Sequence, residues 1–123
     1  MEGAVKALRI YIAGPYQAPT AREREANVNR AIDTALELLR KGHFPFVPHL
    51  THYVDLRATQ VGTHLKWEDY IAWDLGWLEA AEALLLLARS RGADIEYEQA
   101  SKSGKIIFHS VEEVPDLHCA RVR

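Results

Sequence analysis

Residues 83–88, Ala-Leu-Leu-Leu-Leu-Ala, form an unbroken apolar run that stops at Arg89-Ser90-Arg91-Gly92. Leucine favours helix, but the run is too short for an ordinary helix and the break after it is abrupt. A strand buried on both faces of a parallel sheet reads this way, because helices cover both sides and no polar alternation survives. Such a strand needs parallel neighbours joined by crossover helices. Asp74 precedes the run and Glu96 follows it. In an open α/β sheet, ligands bind beyond the carboxyl ends of the strands, so the turn after this run is where a site is expected.

The rest of the chain supplies the partners. Residues 7–13 (Ala-Leu-Arg-Ile-Tyr-Ile-Ala) read as a first strand, punctuated by Gly14-Pro15. Thr20 with Glu23 is a capping box opening a helix to about Lys41, with Val28, Ile32, Ala35, Leu36 and Leu39 as its apolar stripe and Gly42 as its stop. Residues 44–48 hold two prolines and fit only an edge strand. Residues 49–66 show no clean period and are expected to form a long irregular binding loop. A helix is expected over residues 67–81, strands over 83–88 and 105–109, and between them a helix over 94–103 closed by Gly104. The tail from Ser110 gives no strong element. The sum is a single α/β domain over residues 1–123. It is a flavodoxin-like open parallel sheet in the order 2-1-3-4, with room for a fifth edge element and with helices on both faces.

Bulk properties exclude several classes. Net charge is -2, with 15 basic residues scattered among 17 acids, so no nucleic-acid surface is expected. No apolar run approaches the ~20 residues of a membrane span, and residues 1–6 lack the apolar core of a signal peptide. The single cysteine, Cys119, precludes a disulfide within the chain and fits a reducing compartment, so the expected location is the cytoplasm. His49-x-x-His52 has no third and fourth ligand nearby in sequence, and neither a Walker loop nor a dinucleotide fingerprint is present; no metal and no cofactor are expected.

In the order 2-1-3-4 the loops after the first and third strands share one crevice, which brings together Tyr11, Gly14 and the turn from Ser90 to Glu96. Gly14 permits close backbone approach to a ligand, and Pro15 and Tyr16 follow it in the same loop. Ser90 and Gly92 precede a helix start, where N–H groups and a hydroxyl make an anion site to which Arg89 and Arg91 can add charge. Glu96, near the amino end of its helix, suits an ionised nucleophilic carboxylate. Glu98 lies about 200° further around and cannot face the same site. Asp74 interrupts an apolar helix face and needs a partner or a task. Plain alternatives remain for each: a tight turn at Gly14, a first-turn stabilising acid at Glu96, and an edge ion pair for Asp74.

Three stretches carry a resemblance. Ile10-Tyr11-Ile12-Ala13-Gly14-Pro15, Asp74-Leu75-Gly76-Trp77-Leu78-x-x-Ala81-Glu82 and Ser90-x-Gly92-x-x-x-Glu96, in that order, resemble the nucleoside 2-deoxyribosyltransferase-like superfamily. They resemble in particular its 2′-deoxynucleoside 5′-monophosphate N-glycosidase branch and a short uncharacterised bacterial branch. The resemblance implies cleavage or transfer of the N-glycosidic bond of a nucleoside or its 5′-monophosphate. Glu96 would be the nucleophile that forms a glycosyl-enzyme, Asp74 would position the base or sugar and assist protonation of the leaving base, and Tyr11 would hydrogen-bond near the nucleophile. Ser90 would bind a 5′-phosphate, and a homodimer or higher homo-oligomer is implied. From its position, the loop with His49 and His52 would border the base pocket. The alternative class is a nucleotide or nucleotide-sugar sensor of the same fold without turnover; an interaction protein leaves the two acids unexplained. In the superfamily a segment after the fourth strand serves the neighbouring subunit's site. This chain offers only His109 and Ser110 there, and it carries Glu98 where a small residue is usual.

Overall fold

Alternation along the central strand sorts the side chains to two faces. The structure, a computed structural model, describes residues 6–118; Cys119 lies outside them. In β1 (Arg9–Ala13), Ile10 and Ile12 point to one face and Tyr11 and Ala13 to the other. β1 pairs in parallel with β2 (Phe44–Phe46) on one side and with β3 (Ala83–Leu86) on the other, and β4 (Ile106–Phe108) continues beyond β3. The order is β2-β1-β3-β4, a flavodoxin-like 2-1-3-4 sheet.

The apolar run is the hub. All four residues of β3 are buried: Ala83 and Leu85 join the core under α1 (Ala21–Arg40), while Leu84 and Leu86 pack beneath α3 (Trp67–Leu78) and α4 (Arg91–Lys102). Each buried leucine contributes roughly 1.5–3 kcal/mol of hydrophobic stabilisation. Helices therefore cover both faces. The run ends as a strand at Leu86, although the Leu87 N–H still donates to the Ala13 carbonyl at 2.7 Å.

Several elements differ from the expectation. Thr20 caps α1, its Oγ1 accepting the Glu23 N–H at 3.1 Å, and Gly42 takes φ +98° just past its end. The buried stripe, however, is Val28, Ala31, Thr34, Ala35 and Leu38, with Leu36 and Leu39 exposed. Small residues at 31 and 35 let α1 approach the sheet, and this rotates the larger leucines outward. Residues 49–66 are not an irregular loop. A 3-10 turn (Pro48–Leu50) leads into α2 (Thr51–Gln60). Its only buried residues are His52 and Ala58, while Tyr53, Val54 and Leu56 face outward, so no apolar stripe marks it in the sequence. α3 stops at Leu78, short of Ala81, and α4 begins at Arg91 because Ser90 caps it, its Oγ accepting the Ala93 N–H at 3.1 Å.

Among the described residues there is no fifth strand. The tail instead folds back over the end of α1. Lys41 Nζ donates to the carbonyls of Val111 and Val114 at 2.7 and 2.9 Å, and the Leu117 N–H donates to the Lys41 carbonyl at 2.9 Å. His43 accepts the Leu8 N–H on Nδ1 at 3.1 Å, which leaves Nε2–H to donate to the Pro115 carbonyl at 2.7 Å. At the other edge, the Phe44 N–H donates to the Leu8 carbonyl at 2.8 Å. Pro45, pointing the opposite way along β2, has no N–H to offer. Among the described residues, no helix is long and apolar enough to cross a membrane.

Candidate functional site

The carboxyl ends of β1 and β3 open on a cavity of about 430 Å³, within the size range of small-molecule sites. Two loops meet at its floor. A Cβ on Gly14 would stand 3.0 Å from Leu87 Cβ, so glycine is what allows the loop after β1 to lie against the end of β3.

Gly14, Tyr16, His49, Asp74, Ser90, Gly92 and Glu96 all line this cavity, whereas Pro15 does not. Tyr11 lies beneath the floor, fully buried, and its hydroxyl donates to Glu96 Oε2 at 2.6 Å. Glu96 is 5% exposed and Asp74 9%. Glu98, two positions on, is exposed, as helix geometry requires. Asp74 enters from α3, and its Oδ1 is buried with no hydrogen-bond partner. The edge ion pair is absent: among the described residues no lysine or arginine pairs with it.

The electrostatics follow from this burial. Desolvation pushes Asp74 up to about 7. Desolvation also pushes Glu96 up to about 8, with the charge of Asp74 adding to the rise and the Tyr11 hydrogen bond opposing it. Because α4 starts at Arg91, Glu96 sits in its second turn, beyond the reach of the helix dipole that the sequence invoked. The anion on Glu96 is favoured instead by the Tyr11 hydroxyl. Burial and the two neighbouring acids raise Tyr11 far above its ordinary value, so this phenol remains a donor. Both carboxyls are thus held toward the protonated form, Glu96 the more so.

His49 is buried, and its Nε2 lies 3.1 Å from the Gly14 carbonyl. A carbonyl only accepts, so Nε2 carries the hydrogen and Nδ1 is a lone-pair acceptor, buried and unpartnered. Desolvation lowers its pKa and keeps the ring neutral. His52 turns instead to Tyr16, its Nδ1 2.8 Å from the phenol oxygen. The two histidines thus have different partners, and among the described residues no three His, Cys, Asp or Glu side chains are grouped to hold a metal ion.

At the α4 end, the Ser90 hydroxyl keeps its hydrogen free to donate, and Arg91 and Gly92, whose N–H groups have no acceptor within the helix, line the cavity. Arg91 lies over the Trp67 ring, 4.0 Å from its centroid, while Arg89 is held by Asp94 and Tyr97. The far wall was not legible in the sequence. Asp55 from α2 and Tyr70 from α3 stand there, the Tyr70 hydroxyl donating to Asp55 Oδ1 at 3.0 Å. Without α2, Asp55 had no address. Tyr70, one turn before Asp74 on the same helix face, was the available signal.

Residues 8–109 match the family described as a domain of unknown function, DUF4406. The chain belongs to this family. No curated protein matches it. The DUF4406 region runs from the start of β1 past the end of β4, so it contains the whole sheet and every cavity residue named above. The tail that Lys41 and His43 secure lies beyond its limit.

Proposed function

We propose that the cavity cleaves or transfers the N-glycosidic bond of a nucleoside or nucleoside 5′-monophosphate. The observation that carries this reading is the buried trio of Tyr11, Glu96 and Asp74, two carboxyls lining one ligand-sized cavity with the Tyr11 hydroxyl donating to Glu96. One anion and one acid is the pairing that glycosidic chemistry uses. Ionised Glu96 attacks C1′. The C1′–N bond breaks, and its electron pair leaves with the base nitrogen, which Asp74 protonates. The ester between Glu96 and C1′ then yields to water in hydrolysis, or to a second base in transfer; Asp74 takes the proton that the water or base loses, and the Glu96 carboxylate is released. Tyr11 steadies the anion before attack and after release. Ser90 and the first-turn N–H groups of α4 suit a 5′-phosphate, and no cofactor takes part in these steps.

One observation favours a binding-only reading. With Glu96 raised to about 8, much of it is protonated at pH 7, and a protonated carboxyl binds but does not attack. Incubation with a panel of nucleosides and 5′-monophosphates, with free base followed by chromatography, separates the two. The expected result is base release that Glu96→Gln abolishes. Release that survives this change defeats the nucleophile assignment, and tight binding without release establishes the sensor.

The proposed setting is the cytoplasm and the proposed assembly a homodimer. Phe44 and Trp77 are 60% and 53% exposed, and Phe46 between them stacks on Trp77 at 5.6 Å. An aromatic face this open is suited to burial against a second copy. Sedimentation is expected to show a dimer that Trp77→Glu converts to monomer; a monomeric parent chain refutes it.

A further inference from the structure

The two ends of the cavity have opposite hydrogen-bonding character. The α4 end offers donors: first-turn N–H groups and the Ser90 hydroxyl. The α2 end offers acceptors. Asp55 stands in that wall with no lysine, arginine or histidine paired to it among the described residues. Its Oδ1 takes the Tyr70 hydroxyl, which fixes the carboxylate plane and leaves Oδ2 as an open acceptor. Tyr70 is a lasting donor, since burial and then the bond to Asp55 push its phenol up to about 12. Tyr16, which also lines the cavity, is engaged with His52.

Tyr70 and Asp74 are four residues apart on α3 and share one helix face. Asp55, bonded to the Tyr70 hydroxyl, lines the same cavity as Asp74, the carboxyl proposed to serve the leaving nitrogen. A base whose glycosidic nitrogen lies by Asp74 presents its far edge to Asp55. A carbonyl there would face a carboxylate lone pair, whereas an N–H would be accepted.

We propose that Asp55 determines base specificity by accepting a hydrogen bond from an exocyclic amino group, so that the cavity takes guanine, cytosine or adenine nucleosides in preference to hypoxanthine or uracil ones. This rests on the N-glycosidic reading of the site. The amino group is the donor that guanine has and hypoxanthine lacks, and that cytosine and adenine carry where uracil and hypoxanthine have a carbonyl; a site built around such a bond discriminates strongly against the analogue lacking it.

The test uses pairs that differ in a single amino or keto group: guanosine against inosine and cytidine against uridine, as nucleosides and as 5′-monophosphates. Binding is measured by calorimetry and base release in parallel. The amino member of each pair is expected to bind about tenfold tighter or better, and Asp55→Asn, whose amide still accepts from Tyr70, to shrink the ratio to about threefold or less. Tyr70→Phe, which keeps the carboxylate but unfixes it, is expected to narrow the ratio without erasing it. Equal affinities within each pair, or a ratio unchanged in Asp55→Asn, overturn the assignment. Base release without amino preference defeats Asp55 alone. Amino preference without release supports Asp55 and defeats the glycosidic chemistry. Absence of both binding and release defeats both.

Discussion

Lys41 and His43, at the end of α1, are as deeply buried as Asp74, Glu96 and His49 at the carboxyl edge of the sheet, yet the two groups are served differently. The Lys41 ammonium reaches two carbonyls, and both ring nitrogens of His43 are bonded. At the sheet edge, Asp74 Oδ1 and His49 Nδ1 have no partner. A buried polar group costs free energy unless it is paired. The first region uses its polar groups to hold the tail down, and the second keeps its groups unspent. The difference teaches where to look: the partnered cluster is architecture and the unpartnered one faces a ligand cavity.

The comparison breaks if the two regions respond alike to mutation. Glu96→Gln should give the largest effect, a loss of base release on the order of 10³-fold or more. Its stability in urea should match or exceed that of the parent, because the amide still accepts from Tyr11 and carries no charge at any pH. Lys41→Met should do the reverse, costing about 2–4 kcal/mol of unfolding free energy as two carbonyls lose their partner while base release stays unchanged. Loss of activity in Lys41→Met without loss of stability would erase the distinction.

A smaller effect sharpens it further. Asp74 stands at about 7 against an ordinary 3.8, and Glu96 at about 8 against 4.5. The folded protein therefore keeps protons that the unfolded chain releases, and stability falls as pH rises from about 4 toward 8. Urea titrations across that range should show the decline, and Asp74→Asn should flatten it. A stability that rises with pH over the same range would show that these carboxyls are ionised and paired in the folded state.

Much of this was legible in the sequence where burial is uniform or motifs are rigid. Residues 83–86 read as a central strand because both faces are covered, and the order 2-1-3-4 followed from crossovers of long helical stretches. Tyr11, Gly14 and the turn from Ser90 to Glu96 were placed by the fold's own switch point, and Asp74 stood out as an acid on an apolar helix face. What escaped were features decided by packing. α2 carries its apolar residues outward, so no period revealed it, and Asp55 went unseen with it. α1 buries alanines where leucines were the stronger signal. The raised Glu96 pKa depends first on its burial and then on a neighbour, Asp74, and no spacing gives the depth of either.

Pro45 has one more consequence. Phe44 donates inward to Leu8, so the nitrogen of Pro45 lies on the outer side of β2, where a fifth strand from any other chain would need a donor. The missing hydrogen costs the sheet nothing and denies that edge to strand addition. If copies of this chain pair through the aromatic face beside β2, they meet by side chains alone, and the assembly closes rather than growing into a continuous sheet.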